Sequence, residues 1–340
     1  MRAMVLEMLG PIESKPLKLR DIEVPQIKKS NDLLIKIDAC GVCRSQLHGI
    51  EGDWEKYGIP PALPTVPGHE ITGTIVKTGP NTKKLKVGQR IGISPLHGSC
   101  MSCQYCNVGK EHLCDQAEIT GETMLGGYAE YITITEDFAT PIPDSMKSDY
   151  AAPLFCAGIT AYKAVKAAEP AKGKSVGIFG VGGVGHLSVE FAKLEGMRVI
   201  GVARNKIHLD VAKKVGADNT LQFSEQEEFL FKLKKEEGLL DSAIVFAPSE
   251  KIVDLAINSV KKGGTIVLGV LANIPNFDIF TEKTLRGTLI GSRTDMVDVV
   301  RIAEQNDFKI IHKTFPLEQA NQILEDLKFS RIEARAVLTP

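Results

Sequence analysis

Short apolar runs separated by turn-forming residues fill the first half of the chain. Residues 33–37, 71–76 and 87–93 are such runs, and proline and glycine punctuate the segments between them. Short strands with frequent turns are typical of an antiparallel, barrel-like domain. The pattern therefore predicts a mostly β first domain, with one short helix at about residues 44–52.

From about residue 158 the pattern changes to apolar strands that alternate with amphipathic helices. This alternation indicates a doubly wound, parallel sheet. The last fifty residues carry two more helical patterns and a final strand, but no further strand–helix–strand unit. The predicted strands of the second half are residues 174–180, 198–203, 243–246, 265–270 and 288–291, and the predicted helices are residues 185–194, 207–215 and 252–260.

A glycine-rich loop follows the first of these strands. The loop alone is weak evidence, but here it follows a strand, opens a helix and begins a strand–helix–strand unit. Glycines at such a turn let the backbone approach a pyrophosphate, which then lies at the positive helix N-terminus. We therefore predict a dinucleotide site at Gly180-Val181-Gly182-Gly183-Val184-Gly185.

The end of the next strand bears on the choice of cofactor. NAD-binding sheets usually place Asp or Glu there, where the carboxylate binds both ribose hydroxyls and repels a 2′-phosphate. This chain has Ala203 followed by Arg204. A small side chain leaves room for a phosphate, and a guanidinium can bind one with two hydrogen bonds. The sequence favours NADP over NAD; the alternative is that Arg204 stacks on adenine or faces water.

Four cysteines lie within fifteen residues of a polar stretch. Two-residue gaps turn successive sulfur atoms inward, and four thiolates complete the coordination of one zinc ion. We predict a structural zinc lobe at about residues 97–115. His97 and His112 flank this lobe and could compete as ligands, but with four thiolates available they are expected to be solvated bystanders. The four ligands are Cys100, Cys103, Cys106 and Cys114.

A second group of thiolates and imidazoles is spread more widely along the chain. Cys43 opens the segment 43–48, and His69 follows a Pro-Gly turn. Each can supply one zinc ligand, and Cys156 is the next cysteine outside the four-cysteine stretch. We hypothesise that these three residues hold a second zinc ion. Its fourth position stays open for water or substrate, as in a catalytic site.

Taken together, these segments resemble the zinc-dependent medium-chain alcohol dehydrogenases. The resemblance covers essentially the whole chain and keeps the family's order and spacing. Gly-Ser-Arg293 and Ala-Arg335-Ala-Val-Leu look like further landmarks. The matching pieces are Gly-Val-Cys43-Arg-Ser45, Gly-His69-Glu70, the four-cysteine group, Cys156 and the glycine-rich loop.

The resemblance implies an α/β protein of two domains. A GroES-like, mostly β catalytic domain would comprise residues 1–157 and 290–340, and a Rossmann coenzyme domain would comprise residues 158–289. It implies two zinc ions per chain and an alcohol, aldehyde or ketone as substrate. The shorter members of the family are often tetrameric, so a homotetramer is the expected assembly.

The same resemblance implies a path for the proton of the alcohol. Ser45 would accept it and pass it through the cofactor ribose to His48; the alternative for His48 is an ordinary surface histidine. Glu70 would be a transient zinc ligand or a buried neighbouring charge. Cys40 precedes the ligand Cys43 by three residues and is expected to be an inert buried thiol.

Further roles concern the cofactor and the substrate. Arg44 and Arg335 would neutralise the pyrophosphate. Thr160 and Val184 would pack against the nicotinamide. Trp54, the only tryptophan, would line the substrate pocket or pack in the core.

One position departs from the family's pattern. Three residues after the ligand cysteine the family commonly has an Asp that accepts a hydrogen bond from the zinc-binding histidine, and this chain has Gln46. A neutral amide does not raise the basicity of the imidazole as a carboxylate does. The departure bears on zinc affinity and alcohol turnover.

Composition excludes several classes of partner. The formal net charge is −1 and the pI is near 6.7, so nothing indicates binding to nucleic acid or to an anionic membrane. No apolar run approaches the ~20 residues of a membrane span. We do not expect the N-terminal run to be a signal peptide, because it is too short and Glu7 interrupts it. Seven clustered cysteines suit zinc in a reducing compartment, and we expect a cytoplasmic protein.

Three alternative functions remain open from the sequence. A zinc-dependent polyol, sugar or threonine dehydrogenase would have the same fold. A zinc-free quinone or enoyl reductase is disfavoured by the cysteine and histidine ligands. A non-catalytic sensor that binds NADP and zinc is favoured only by Gln46.

Overall fold

The computed structural model describes residues 1–57, 61–223, 225–274 and 277–340. The strands are β1 (Arg2–Leu6), β2 (Leu17–Asp21), β3 (Asp32–Gly41), β4 (Glu70–Thr78), β5 (Arg90–Ile93), β6 (Leu96–Gly98), β7 (Glu118–Ile119), β8 (Tyr131–Thr135), β9 (Ala139–Pro141), β10 (Ser175–Phe179), β11 (Arg198–Ala203), β12 (Asn219–Gln222), β13 (Leu240–Val245), β14 (Val260–Leu268), β15 (Thr284–Gly287), β16 (His312–Pro316) and β17 (Arg335–Thr339).

The α-helices connect these strands, mainly in the second half of the chain. They are α1 (Arg44–Glu51), α2 (Ser148–Ala151), α3 (Ala157–Ala167), α4 (Gly185–Leu194), α5 (Lys206–Lys214), α6 (Gln226–Glu236), α7 (Glu250–Ser259), α8 (Arg293–Gln305) and α9 (Ala320–Lys328).

The chain divides into two compact units. The first contains Met1–Ala157, Gly291–Asp307 and His312–Pro340, and the second contains Gly158–Ile290 and Phe308–Ile311. The first unit is therefore built from both ends of the chain.

The first unit is organised around a seven-stranded sheet. Its order is β16-β17-β3-β4-β5-β9, and β8 also pairs with β3. Strand β3 shows why these residues form a strand: Leu33, Ile35 and Ile37 are buried, whereas Lys36 between them is exposed. This period of two buries one face of the strand. The C-terminal strand β17 runs antiparallel to β3, so the chain returns to this sheet at its end.

The second unit contains a six-stranded sheet in the order β12-β11-β10-β13-β14-β15. Every pair of neighbouring strands is parallel. The central strands are nearly continuous apolar runs because helices cover them. The α/β class predicted from the sequence, which combines a doubly wound parallel sheet and a mostly β domain, is confirmed.

Some elements of the second unit differ from the predicted ones. The strand predicted at residues 288–291 is wrong, because the edge strand is β15, Thr284–Gly287, which pairs with β14. Apolar residues misled the prediction: Leu289 is 57% exposed and lies beyond the strand. Strand β12 and helices α3 and α6 were not predicted. No helix in the described parts of the chain is both long and apolar enough to span a membrane.

Candidate active site

Three separate segments of the first unit bring thiolates and an imidazole together. Cys43 is the extended residue just before α1, His69 directly precedes β4, and Cys156 directly precedes α3. Gly68, beside His69, has φ of +102°, a conformation that glycine adopts readily and other residues rarely do. An added Cβ there would also lie 2.5 Å from the ring of Tyr128. The turn that positions His69 near Cys43 and Cys156 therefore depends on Gly68.

The ligand atoms of Cys43, His69, Glu70 and Cys156 all lie within 4.8 Å of one another, and all four residues are buried. The two sulfur atoms are 3.8 Å apart. Sulfur atoms bound tetrahedrally to one zinc at 2.3 Å would be separated by about the same distance. Two thiolates and an imidazole are ligands that zinc prefers. The residues present therefore fit a zinc ion.

The two thiols of this group influence each other's ionisation. The hydrogen bond from Cys156, together with that of His69, lowers the pKa of Cys43 well below its usual value despite burial. The hydrogen bond between the two thiol groups, together with burial, raises the pKa of Cys156 well above its usual value. A lowered pKa favours the thiolate form of Cys43, which is the form that binds metal.

Glu70 has a cationic partner from the other end of the chain. Arg335, in β17, donates from Nη2 to Glu70 Oε2, and both side chains are buried. Burial raises the pKa of Glu70 to about 7, although the charge of Arg335 opposes this. The other carboxylate oxygen, Oε1, has no hydrogen-bond partner among the described residues. Binding of Arg335 to a pyrophosphate remains a prediction.

Two residues of α1 contact the imidazole of His69. Ser45 Oγ lies 3.3 Å from His69 Nε2 and 3.2 Å from Cys43 Sγ. Gln46 Nε2 lies 2.9 Å from His69 Nδ1 and 3.5 Å from a carboxylate oxygen of Glu122. Gln46 was identified from the sequence, whereas Glu122 was not, because nothing in the local sequence marks Glu122 as a site residue.

His48 lies one helical turn after Ser45. Its Nδ1 is 2.7 Å from a carboxylate oxygen of Asp53, and its side chain is 31% exposed. The ring of Trp54 packs edge-to-face against the His48 ring, with the ring centroids 5.1 Å apart. The indole N–H of Trp54 donates a hydrogen bond to Ser45 O. Trp54 is half-buried, so it is not an ordinary core residue. Asp53 was not identified from the sequence as a site residue.

Arg44 and Cys40 complete this region. Arg44 is half-buried at the start of α1 and donates from Nη2 to Lys328 O at 3.3 Å. Its role toward a pyrophosphate remains a prediction. Cys40 is fully buried, and burial raises its thiol pKa far above the usual value. It belongs to neither of the two candidate metal-binding groups among the described residues.

The four cysteines of the predicted structural lobe also converge. The sulfur atoms of Cys100, Cys103, Cys106 and Cys114 all lie within 4.8 Å of one another. Backbone N–H groups of Ser102 and Cys103 lower the pKa of Cys100 to about 6, which favours its thiolate. Four thiolates at these separations fit a closed zinc site with no open position.

The two histidines near this lobe are not solvated, and that prediction was wrong. His97 is 6% exposed and His112 is 8% exposed. His97 lies in β6, where its Nδ1 is 3.3 Å from the Thr120 hydroxyl, and burial lowers its pKa to about 4. The side chain of His97 is buried where β6 pairs with β7, and the local sequence does not indicate this pairing.

The glycine-rich loop connects β10 to α4 in the second unit. Gly180 has φ of +101°, and a Cβ on it would lie 2.8 Å from Ala247 N. A Cβ on Gly185 would lie 2.1 Å from Gly180 O, so the helix packs closely on the strand. Gly182 faces open space, which leaves room for a phosphate group. The loop therefore fits a dinucleotide, as the sequence predicted.

Five further residues that were predicted to contact the cofactor lie in the second unit. Gly183 and Val184 are half-buried in the turn before α4, and Thr160 is half-buried in α3. Ala203 is the buried last residue of β11, and Arg204 follows it on the surface. Their contact with a bound nucleotide remains a prediction.

Comparisons with known proteins agree with this geometry. Residues 29–144 match the family described as alcohol dehydrogenase GroES-like domain, and residues 183–305 match the family described as zinc-binding dehydrogenase. An alcohol dehydrogenase of Geobacillus stearothermophilus is 36% identical over 343 residues, which cover 99% of each chain.

Solved structures of related enzymes have the same fold as this chain. The alcohol dehydrogenase of the hyperthermophilic archaeon Aeropyrum pernix is 27% identical, with a TM-score of 0.91 and full coverage of both chains. An acetophenone reductase of Geotrichum candidum, solved in complex with NAD, is 26% identical with a TM-score of 0.86. That match covers 100% of this chain and 97% of the reductase.

Proposed function

Because this chain belongs to the zinc-dependent medium-chain alcohol dehydrogenases, we propose that it interconverts alcohols with aldehydes or ketones by hydride transfer, with NADP(H) as the favoured cofactor. The observation that carries the proposal is the buried group of Cys43, His69 and Cys156, whose ligand atoms lie within 4.8 Å of one another. That donor set with an open fourth position suits a catalytic metal.

The three residues of this group would hold a zinc ion, and the four-cysteine lobe would hold a second, structural ion. Zinc bound at the first group would supply Lewis acidity toward the oxygen of the substrate. Cys43, His69 and Cys156 are all buried, so their side chains have little contact with bulk water. Burial of the ligands strengthens the electrostatic interactions among them.

Ser45 and His48 would move the proton of the alcohol. The Ser45 hydroxyl borders both Cys43 and His69, so it lies next to where the substrate oxygen would bind. His48 is partly exposed and can exchange a proton with water. Asp53 holds Nδ1 of His48, which fixes the ring and leaves Nε2 for proton transfer. Transfer between the two through the cofactor ribose is part of this proposal.

Preference for NADP rests on the end of β11. Ala203 offers no carboxylate to repel a 2′-phosphate, and the exposed guanidinium of Arg204 can bind one. The glycine-rich loop would hold the pyrophosphate near the N-terminus of α4. NAD is the alternative, and the related reductase of Geotrichum candidum was solved with NAD.

The test is turnover of the purified protein with a panel of primary, secondary and aromatic alcohols. We expect reduction of NADP⁺ to be faster than reduction of NAD⁺, and activity to disappear when a chelator removes zinc. Faster reduction of NAD⁺ would contradict the cofactor preference alone. No turnover of any alcohol, aldehyde or ketone by protein with two bound zinc ions would contradict the proposed activity.

A zinc-dependent polyol or sugar dehydrogenase remains the second candidate, since its ligands would be the same. Turnover of polyols in the substrate panel would distinguish this activity from alcohol dehydrogenation.

For the assembly and location of the protein, we propose a cytoplasmic homotetramer, as the family resemblance suggests. A non-catalytic sensor would bind zinc and NADP without turnover.

A further inference from the structure

The side-chain amide of Gln46 lies between two buried nitrogen atoms. The Gly68 N–H donates a 2.6 Å hydrogen bond to Gln46 Oε1, and Gln46 Nε2 lies 2.9 Å from His69 Nδ1. A backbone N–H can only donate, so it identifies the oxygen end of the amide. The end that faces the imidazole is therefore the NH₂ group, which can also only donate.

This arrangement determines the tautomer of His69. A donor 2.9 Å from Nδ1 requires a lone pair on that atom, so the neutral ring carries its hydrogen on Nε2. Nε2 is the ring atom that faces Ser45, which also contacts Cys43. A histidine that binds zinc through Nε2 needs the opposite tautomer, with Nδ1–H donating to an acceptor. The amide therefore opposes the metal-binding form of His69.

Neighbouring groups hold the amide in this orientation. Gln46 is 2% exposed, and its Nε2 has a second acceptor in Glu122 Oε1 at 3.5 Å. A turn of the amide by 180° would bring its NH₂ group against the Gly68 N–H, donor against donor. A Cβ built on Gly121 would lie 2.8 Å from Gln46 Oε1, so the backbone also encloses that end.

We propose that Gln46 is a positioning residue that weakens metal binding at His69, and that the Gly68 N–H fixes the amide orientation that does so, with Glu122 as a second acceptor for the NH₂ group. The ion held by Cys43, His69 and Cys156 is then released more readily than the ion of the four-cysteine lobe. This inference rests on the proposed function only in that zinc is the metal of the site. Neither Gln46 nor Glu122 is itself a metal ligand.

The test exchanges the two side chains. The variant Gln46→Glu/Glu122→Gln keeps the composition and net charge of the protein. It places a carboxylate between Gly68 and His69, so that one oxygen accepts from each N–H. The amide then at position 122 can donate to that carboxylate, which avoids the two close carboxylates of Gln46→Glu alone.

The readout is zinc release to a chromogenic chelator, followed in the wild type, the exchanged variant and Glu122→Gln alone. The Cys43→Ser variant lacks one ligand of the site at His69. The phase of zinc release that changes in this variant therefore belongs to that site. The ion of the four-cysteine lobe is the internal reference and also reports that each variant is folded.

We expect the exchanged variant to hold the ion at His69 at least about tenfold more tightly, since hydrogen-bond partners of metal ligands typically change metal affinity by 10–100-fold. Glu122→Gln alone should not tighten binding, because Gln46 still donates to the imidazole. Equal affinity in the wild type and the exchanged variant overturns the proposal. Tightening that Glu122→Gln alone reproduces also overturns it, because the charge of Glu122 would then be the cause.

A second measurement needs no variant. In the metal-free wild type, the ¹⁵N chemical shifts of the His69 ring should report hydrogen on Nε2 and a lone pair on Nδ1; hydrogen on Nδ1 overturns the proposal. Neither readout depends on turnover. A wild type that takes up no zinc at Cys43, His69 and Cys156 overturns the proposed function together with this inference, whereas equal affinities overturn the inference alone.

Discussion

The carboxylate of Glu70 accepts a hydrogen bond from the guanidinium of Arg335, a residue 265 positions further along the chain. Glu70 begins β4 and Arg335 begins β17, and both strands lie in the seven-stranded sheet next to β3. Neither side chain is more than 4% exposed. The pair therefore joins the two ends of the chain within the first unit, directly beside the candidate metal ligand His69.

Loss of Arg335 alone should destabilise the protein strongly. Arg335→Met leaves the Glu70 carboxylate buried without its cation, and we expect the free energy of unfolding to fall by about 3–5 kcal/mol. Glu70→Gln/Arg335→Met removes both charges and should recover much of that loss. Urea unfolding of the zinc-loaded variants measures both values. Equal stability of the single and double variants would show that the pair does not act as an ion pair.

Removal of one thiolate from the four-cysteine lobe should cost one zinc ion. We expect Cys103→Ser to bind one zinc per chain instead of two and to unfold at a lower temperature, because a structural ion stabilises the folded state that binds it. Cys40→Ala is the matched control, since Cys40 belongs to neither metal-binding group. Metal analysis by mass spectrometry measures the ratio. Two ions in Cys103→Ser would argue against this ligand set.

Arg204 should discriminate between the two nicotinamide cofactors. We expect Arg204→Ala to raise KM for NADP⁺ by about 10–100-fold, because a charge-assisted hydrogen bond contributes about 1.5–3 kcal/mol. KM for NAD⁺ should change little. Lys213→Ala, an exposed cation in the last turn of α5, controls for a general loss of positive charge. A similar rise for both cofactors would place Arg204 outside the 2′-phosphate site.

His97 should make stability depend on pH. Burial lowers its pKa from 6.5 to about 4, although Asp32 opposes this, so the unfolded chain binds a proton more readily than the folded protein. Its contribution to stability is therefore present above pH 6.5 and is lost as the pH falls toward 4. Between pH 7 and pH 5 this loss amounts to about 2 kcal/mol.

Urea unfolding of the wild type and of His97→Gln at the two pH values isolates this effect. Gln can keep a hydrogen bond to Thr120 but does not titrate. We expect the stability difference between the two proteins to shift by about 2 kcal/mol against the wild type at pH 5. A difference that stays constant with pH would mean that His97 titrates alike in the folded and unfolded states.

Local spacing made much of the candidate site predictable. Two-residue gaps place Cys100, Cys103 and Cys106 within reach of one ion whatever the rest of the chain does. The glycine-rich loop was equally easy to predict. Its glycines are required by the tight turn between the flanking strand and helix and by the close packing of that helix on the strand. The resemblance to the medium-chain alcohol dehydrogenases rested on these local segments and is confirmed.

Elements without a strong local pattern were harder to predict. Strand β12 has a single fully buried apolar residue, Leu221, and is a strand because it pairs with β11. The edge strand β15 is polar, whereas the apolar residues just after it, which include Leu289, are partly exposed. Whether such segments form strands depends on pairing with a neighbouring strand, and a single sequence does not reveal that pairing.

By itself the sequence determined the fold class, the family and which side chains carry thiolate and imidazole chemistry, because periodicity and spacing are properties of neighbours along the chain. Only the tertiary structure decided the partners of those side chains. Arg335 meets Glu70, and Glu122 meets Gln46 next to His69, through the folding of distant segments against one another. Hydrogen bonds between such segments set charge and tautomer at the site, so these properties follow from the fold and not from the spacing.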